Sequence, residues 1–287
     1  MLEVIKDKTE EILSLLENTG YFLINEQVKK EYKTFTKEDG SLLTELDIAS
    51  EYLIKQELKS MFGDVSVLSE ENSFEENVKI ANNQYFFLLD PIDGTSLFNK
   101  GKEFTINLAF CIDKRPVISF IHNPVKKVML FGDGNKAFKR TSGKIMELKK
   151  LKEFDKYNAL LSGKQQLKLT IGVHMMENKM LVDNLIKEVQ NSGYSFSKYT
   201  LKSASAMGKV LKIIDNETDA IITSKKCNDW DILPALPILD AIGANYSTKN
   251  EYVYKNNNFN QGIFIAGRGQ ELVSDLEIIC NKIGNNY

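Results

Sequence analysis

The stretch from Phe86 to Phe98, with the sequence FFLLDPIDGTSLF, constrains the fold of this 287-residue chain more than any other segment. Four apolar residues run directly into Asp90, which predicts a strand that is buried on both faces and ends in a carboxylate. Pro91 restricts the backbone of Asp90, and Gly94 allows a sharp turn into a helix. Because carboxylates and the amides of a helix start meet at this turn, we expect a site for Mg²⁺ and a phosphate.

The same motif also has a purely structural interpretation, since Asp-Pro and Asp-Gly are turn dipeptides and Asp93 can cap a helix. Two further acidic stretches favour the functional interpretation. A short strand predicted from Val65 to Leu68 runs into Ser-Glu-Glu, so a second strand also ends in carboxylates. Far downstream, Asp231 opens an apolar helix that is predicted to extend to Ala244.

Three motifs follow one another along the chain: SEEN at residues 69–72, DPIDGT at residues 90–95 and WDILPA at residues 230–235. Together they resemble the lithium-sensitive, Mg²⁺-dependent phosphomonoesterase superfamily, which contains the inositol monophosphatases and the 3'(2'),5'-bisphosphate nucleotidases of the CysQ type. The resemblance covers most of the chain. The segment Glu103-Phe104-Thr105-Ile106-Asn107 resembles the nucleotidases more than the inositol monophosphatases, which favours a nucleotidase.

This resemblance implies an α/β protein with a layered αβαβα sandwich. It also implies hydrolysis of the 3'-phosphate of adenosine 3',5'-bisphosphate to AMP, with two or three Mg²⁺ ions as cofactors and with sensitivity to lithium. An inositol monophosphatase or a related sugar phosphatase is the first alternative. A catalytically inactive, phosphate-binding regulator is the second, and the complete set of acidic residues argues against it.

The resemblance further implies a role for each acidic residue of the motifs. The first ion would be held by Glu70, Asp90 and the carbonyl of Ile92. The second ion would be held by Asp90, Asp93 and Asp231, so that Asp90 bridges the two. Either Glu70 or Glu71 could reach the metal, and the family register favours Glu70 and leaves Glu71 as a possible surface charge.

The attacking water would be oriented by Glu70 and by a pair formed between Asp47 and Thr95. The amides of Gly94 and Thr95 would bind the phosphate at the start of a helix, beside Asp93 and Asp231. Asp47 also has a structural interpretation, because Thr44 and Asp47 form a capping-box pattern at a helix whose Ile48, Leu53 and Leu58 are expected to be buried.

The residues that would select the substrate carry a weaker signal. Lys209 and His174 match positions that approach the substrate in the nucleotidases, and Lys37 matches a basic position of the same group. Each has an alternative interpretation, as an exposed lysine or as a structural histidine. The sequence also departs from the nucleotidases at Ala206, where a serine is usual.

Between Thr105 and Phe131 the pattern has a period of two residues, which predicts three antiparallel strands: Thr105 to Cys111, Pro116 to His122 and Val128 to Phe131. Beyond residue 150, strand and helix patterns alternate, which indicates an α/β arrangement. We therefore expect an N-terminal α+β half with the metal site at residues 1–150. A C-terminal α/β half at residues 151–287 would complete that site.

Composition and charge narrow the classes of partner. The chain has 39 acidic and 37 basic residues, interspersed along its length, and a net charge of −2. Nothing in this charge pattern indicates a nucleic-acid-binding surface. A small phosphate ester is the expected partner, and the chain is expected to be a monomer or a homodimer. Three widely separated cysteines and an N-terminal segment without a long apolar run predict a reduced, cytoplasmic protein with no membrane span.

Overall fold

The computed structural model describes residues 1–38, 40–157, 159, 166–172, 179–201, 205–223, 227–247 and 259–284. Ten α-helices lie within these ranges: α1 (Leu2–Asp7), α2 (Thr9–Lys29), α3 (Glu45–Phe62), α4 (Phe74–Ala81), α5 (Thr95–Asn99), α6 (Lys179–Asn191), α7 (Ala206–Ile214), α8 (Asp229–Ile232), α9 (Leu236–Ile242) and α10 (Gln270–Gly284). None of these helices is both long and apolar enough to cross a membrane.

The strands are β1 (Thr34–Thr36), β2 (Leu42–Thr44), β3 (Val67–Ser69), β4 (Tyr85–Asp93), β5 (Thr105–Ile112), β6 (Arg115–Asn123), β7 (Val128–Gly132), β8 (Ala137–Thr141), β9 (Lys144–Glu147), β10 (Leu167–Ile171), β11 (Phe196–Leu201), β12 (Ala220–Ile222), β13 (Cys227–Asn228), β14 (Asn245–Tyr246), β15 (Asn260–Gly262) and β16 (Ile265–Gly267). They form a seven-stranded sheet in the order β3 to β9, a five-stranded sheet in the order β11-β10-β12-β16-β14, and two short two-stranded ladders.

The seven-stranded sheet is antiparallel except at its edge, where β3 runs parallel to β4. Parallel strands point their carboxyl ends at the same edge of a sheet. The residues that follow β3 and those that end β4 are therefore neighbours. The predicted antiparallel strands from Thr105 to Phe131 are all present, each one or two residues longer than its pattern indicated.

The side chains of β4 alternate between two cores, which gives the molecule its layers. Phe87 and Leu89 pack with helices α1 to α3 on one face of the seven-stranded sheet. Phe86 and Leu88 face the opposite core, which contains α7, α8 and α9 and reaches the five-stranded sheet through Ile221. A third core packs α6 and α10 against the far side of the five-stranded sheet. The order helix, sheet, helix, sheet, helix confirms the predicted αβαβα sandwich.

Helix α3 confirms the predicted capping box and corrects the predicted buried face. Thr44 Oγ1 accepts hydrogen bonds from the backbone amides of Leu46 and Asp47. The Asp47 carboxylate in turn accepts one from Thr44 N at 2.7 Å. Leu58 is buried as expected, but Ile48 is 49 % exposed and Leu53 is 41 % exposed. A spacing of five residues rotates each position by about 140° around a helix, so these three residues cannot share one face.

The apolar helix predicted from Asp231 to Ala244 is interrupted. Helix α8 ends at Ile232, a 3₁₀ turn covers Leu233–Ala235, and α9 continues to Ile242. Pro234 explains the break, because it lacks the amide that an α-helix would need at that position. The boundary near residue 150 stays a prediction. The core that contains Phe86 and Leu88 joins elements from both sides of it.

Candidate active site

Strand β4 ends within the DPIDGT motif, at the turn from which the sequence predicts a metal and phosphate site. Asp90 is fully buried and Asp93 is 6 % exposed, and a bulge between them shifts the pairing with β5. Gly94 has a φ of +95° and ψ of 41°, the left-handed region that favours glycine, and helix α5 begins directly after it. Both aspartates therefore lie at the end of β4, just before the sharp change in chain direction at Gly94.

Three carboxylates from distant segments meet beside this turn. One oxygen from each of Glu70, Asp90 and Asp231 lies within 4.8 Å of the other two. Glu70 follows β3 and reaches the group because β3 is parallel to β4. Asp231 reaches it from helix α8, where Asn228 N donates a hydrogen bond of 2.7 Å to Asp231 Oδ2 and fixes the side chain.

The cluster carries more negative charge than the surrounding groups neutralise. Burial raises the pKa of Asp90, and Glu70, Asp93 and Asp231 raise it further. Burial and then Asp93 and Glu70 likewise raise the pKa of Asp231. In addition, the buried Asp90 Oδ2 accepts no hydrogen bond from any described residue. Buried carboxylates are stable when they are paired or bind a metal, so this set fits a hard divalent cation with oxygen ligands.

Lys37 supplies one positive charge at the edge of the cluster. Its Nζ lies 3.0 Å from Glu70 Oε1 and 2.9 Å from Glu71 Oε2. Burial opposes the charged form of Lys37, but the two glutamates outweigh it and hold its pKa above the usual range. Burial and the charge of Glu70 raise the pKa of Glu71 to about 7. The interpretations of Lys37 and Glu71 as solvated surface charges are therefore wrong.

Asp47 lies on the other side of the turn, where it makes the hydrogen bonds that both interpretations of the sequence require. Its Oδ2 accepts hydrogen bonds from Thr44 N and from Thr44 Oγ1, which caps helix α3. Its Oδ1 accepts a hydrogen bond of 3.1 Å from Thr95 Oγ1. Burial raises the pKa of Asp47, and the hydrogen bonds from Thr44 and Thr95 oppose that rise. The pair expected between Asp47 and Thr95 is thus present in the geometry.

The carbonyl of Ile92 and the carboxylate of Asp93 also lie at this turn. Thr95 Oγ1 is 3.2 Å from the Ile92 carbonyl oxygen. Asp93 does not belong to the group of three within 4.8 Å that the described residues form. Its charge nevertheless raises the pKa of Glu70, after burial and despite Lys37. Asp93 is therefore close enough to act with the cluster.

Two hydrogen-bond donors to Asp93 were not anticipated from the sequence. Thr105 Oγ1 donates to Asp93 Oδ2 at 3.0 Å, and the backbone amide of Met207 donates to the same oxygen at 3.1 Å. Thr105 belongs to the strand segment that suggested a nucleotidase, and the β4–β5 register places it opposite Asp93. The period-two pattern of β5 could have indicated which face of the sheet Thr105 lies on. The contact with Met207, however, depends on the packing of α7.

The residues expected to select the substrate have different outcomes. Lys209 lies on helix α7, is 6 % exposed, and its Nζ donates to the Ser205 carbonyl at 3.3 Å. The interpretation of Lys209 as an exposed helix lysine is therefore wrong. His174 lies outside the described residues. Trp230 is buried next to Phe259, with 5.8 Å between ring centroids, in the core behind the cluster.

Comparison with known proteins places these observations in a family. The sequence profile of the inositol monophosphatase family matches residues 8–279. A 3'(2'),5'-bisphosphate nucleotidase CysQ from Salmonella typhimurium is 38 % identical over 108 residues, which are 37 % of this chain and 44 % of that protein. The aligned part thus spans less than half of that relative.

Two solved structures share the fold over nearly the whole chain. An IMPase/NADP phosphatase in complex with Mg²⁺ and phosphate has a TM-score of 0.72 at 20 % identity, covering 96 % of this chain and 95 % of the other. A staphylococcal inositol monophosphatase-1 in an inhibitory complex soaked with 100 mM LiCl has a TM-score of 0.73 at 19 % identity, covering 97 % and 95 %. With the profile match over residues 8–279, the chain belongs to the inositol monophosphatase family.

Proposed function

We propose that this chain is a Mg²⁺-dependent phosphomonoesterase that removes the 3'-phosphate of adenosine 3',5'-bisphosphate and leaves AMP. The observation that carries the proposal is the group of Glu70, Asp90 and Asp231, in which Asp90 is fully buried and its Oδ2 accepts no hydrogen bond from any described residue. Such a group favours a divalent cation. The Mg²⁺ and phosphate bound to the related IMPase/NADP phosphatase support the same choice of cofactor.

The residues would share two or three ions between them. Glu70, Asp90 and the Ile92 carbonyl would hold the first, and Asp90, Asp93 and Asp231 would hold the second. When bound, Mg²⁺ ions supply positive charge to the phosphate and its leaving oxygen and lower the pKa of a water. Because the carboxylates of this chain lie close together, they would concentrate this positive charge at one point.

The chain's own groups would orient the reactants. Glu70 would accept a hydrogen bond from the attacking water, and Lys37 holds Glu70 in place through its 3.0 Å contact. Thr95 Oγ1 has one proton, which it donates to Asp47 Oδ1 or to the Ile92 carbonyl. The lone pairs of that oxygen are then directed to accept from water. Gly94 and Thr95 would bind the phosphate through their amides, with no covalent phosphoenzyme required.

The choice of substrate rests on the nucleotidase-like strand, on the CysQ relative and on Lys209. A cation that contacts a second phosphate contributes a charge-assisted hydrogen bond worth about 1.5 to 3 kcal/mol. This corresponds to a preference of roughly tenfold to a hundredfold in kcat/KM. Hydrolysis of inositol or sugar monophosphates is the alternative, and the inositol monophosphatase among the structural neighbours supports it.

The experiment measures kcat/KM for adenosine 3',5'-bisphosphate, 3'-AMP and inositol 1-phosphate with wild type and with Lys209→Met. Lys212→Met is the matched control, because Lys212 is also buried and lies one turn further along the same helix. We expect the bisphosphate to be preferred at least tenfold, and we expect only Lys209→Met to reduce that preference. Equal use of inositol 1-phosphate would establish the alternative, and no Mg²⁺-dependent release from any substrate would favour the inactive regulator.

Lithium sensitivity belongs to the same proposal. Li⁺ is small and carries one charge, so it would occupy a position among the carboxylates without stabilising the leaving oxygen as Mg²⁺ does. The inhibitory LiCl complex of the staphylococcal relative supports this expectation. Turnover that is indifferent to Li⁺, in an enzyme that does require Mg²⁺, would indicate a site that differs from the relatives in its ion positions.

A further inference from the structure

Strand β5 places a hydroxyl group directly against the Asp93 carboxylate. Thr105 is fully buried, pairs with Asp93 across the two strands, and donates from Oγ1 to Asp93 Oδ2 at 3.0 Å. A second hydroxyl lies behind it, because Ser205 Oγ is 3.2 Å from Thr105 Oγ1. Ser205 is 5 % exposed. Both hydroxyl groups are therefore removed from solvent, and their hydrogen bonds are made to protein groups, including each other.

Ser205 is the N-cap residue of α7, a nine-residue helix. Its Oγ accepts a hydrogen bond of 2.9 Å from Gly208 N. Two residues after Ser205, the backbone N–H of Met207 donates a hydrogen bond of 3.1 Å to Asp93 Oδ2. The first turn of α7 thus contacts the same carboxylate oxygen directly, through Met207, and indirectly, through Ser205 and Thr105.

Counting protons gives these contacts a single direction. Thr105 has one hydroxyl proton and donates it to the carboxylate, which cannot donate in return when ionised. Ser205 must then donate to Thr105 Oγ1, while its own oxygen accepts from Gly208 N. The result is a chain of donors from Gly208 N through Ser205 and Thr105 to Asp93 Oδ2. Hydrogen bonds that are arranged in this way polarise one another.

We infer that Thr105 and Ser205 are positioning residues for Asp93, which hold its carboxylate through Oδ2 in the orientation that binds a divalent cation. The inference rests on the proposed function for the identity of that cation. Groups that hydrogen-bond a ligating carboxylate orient it, and their loss typically reduces metal affinity about 10- to 100-fold. The chain of donors also links the cation to α7, the helix that carries Lys209 one turn after Ser205.

The test measures Mg²⁺ affinity by titration calorimetry and by the Mg²⁺-dependent rise in melting temperature, so it does not require activity. Thr105→Val removes the hydroxyl and keeps the shape, and Thr105→Ser restores a hydroxyl. Thr19→Val is the matched control, because Thr19 is also buried and donates to a backbone carbonyl, that of Leu15 at 2.9 Å, within helix α2. Ser205→Ala is a second probe that serves if Thr105→Val does not fold.

We expect Thr105→Val to weaken Mg²⁺ binding about 10- to 100-fold. Ser205→Ala should weaken it in the same direction, and Thr105→Ser should bind nearly as wild type does. Thr19→Val should lower the melting temperature with and without Mg²⁺ alike and leave the Mg²⁺ affinity unchanged. Unchanged Mg²⁺ affinity in Thr105→Val, or in Ser205→Ala where that variant alone folds, would overturn the inference.

The same measurements separate this inference from the proposed function. Mg²⁺ binding that depends on Thr105, in a protein that hydrolyses none of the three esters, would contradict the phosphatase and support the positioning role. Hydrolysis by wild type with Mg²⁺ binding that does not depend on Thr105 would give the opposite result. A wild-type protein that binds no Mg²⁺ would overturn both.

Discussion

Thr95 Oγ1 lies 3.1 Å from Asp47 Oδ1, and this contact joins two segments that are 48 residues apart. The other oxygen of Asp47 is occupied by Thr44 N and Thr44 Oγ1, so the carboxylate cannot turn away. One helix cap therefore orients the hydroxyl group that stands at the start of α5. A capping box, whose ordinary effect is local stability, thus extends into the candidate active site.

The first prediction concerns this hydroxyl group. Thr95→Val keeps the side-chain shape but removes the donor to Asp47 and the acceptor for water, so kcat should fall about 100-fold or more. Thr95→Ser should retain most of the turnover. Mg²⁺ affinity should change far less than kcat, because Thr95 supplies no carboxylate to the cluster. A Thr95→Val enzyme with near-normal kcat would mean that the hydroxyl only stabilises the turn.

A second prediction concerns the charge of Asp93. Asp93→Asn keeps the volume and can still accept from Thr105 and Met207, but it loses the charge expected to hold a cation. The variant should stay folded and lose about 100-fold or more in kcat, the scale of other lost electrostatic contacts in active sites. Asp113→Asn is the control, since Asp113 lies exposed in the turn after β5. A folded Asp93→Asn enzyme with normal turnover at saturating Mg²⁺ would falsify the ligand assignment.

The third prediction concerns the pH dependence of stability and a buried histidine outside the acidic cluster. His122 is 4 % exposed, and its ring packs so closely on helix α2 that a Cβ at Gly20 would lie 2.6 Å from it. Burial lowers the pKa of His122 to about 4, the Val128 carbonyl opposes this, and Arg140 adds to it. The charged groups Glu17, Lys127 and Arg140 line, together with His122, a cavity of about 270 Å³.

The sign of the pH effect follows from that lowered pKa. Between about pH 6.5 and pH 4 the unfolded chain binds a proton at His122 and the folded protein does not, so stability falls as the pH falls. Each pH unit contributes about 1.4 kcal/mol, which gives about 2 kcal/mol between pH 7.5 and pH 5. Urea unfolding of wild type and His122→Gln without Mg²⁺ should show this difference. A difference between the two proteins that does not vary with pH would contradict the buried, neutral state of His122.

The sequence predicted the centre of the site because its signals are local. An unbroken apolar run, two aspartates and a glycine lie within a few residues of one another, and each limits the backbone conformation by itself. The strand before Glu70 and the cap at Thr44 have the same local character. These features therefore do not depend on how distant segments pack.

The parts that the sequence did not predict depend on packing between distant segments. Ile48 and Leu53 are apolar but lie off the buried face of α3, which includes the residues four apart Leu46, Ser50, Ile54 and Leu58. The burial of Lys209 and the hydrogen bond from Met207 to Asp93 both require that α7 dock against the seven-stranded sheet. No local pattern states which helix will fill that position.

The most direct test of the account is release of phosphate from adenosine 3',5'-bisphosphate as Mg²⁺ is added to metal-free protein. We expect no release in the presence of a chelator, and saturable release as Mg²⁺ rises to millimolar concentrations. Asp90→Asn, folded by circular dichroism, should remain inactive at every Mg²⁺ concentration. Release that persists in the chelator, or an Asp90→Asn variant as active as wild type, would contradict a catalytic metal site at the carboxylates of Glu70, Asp90 and Asp231.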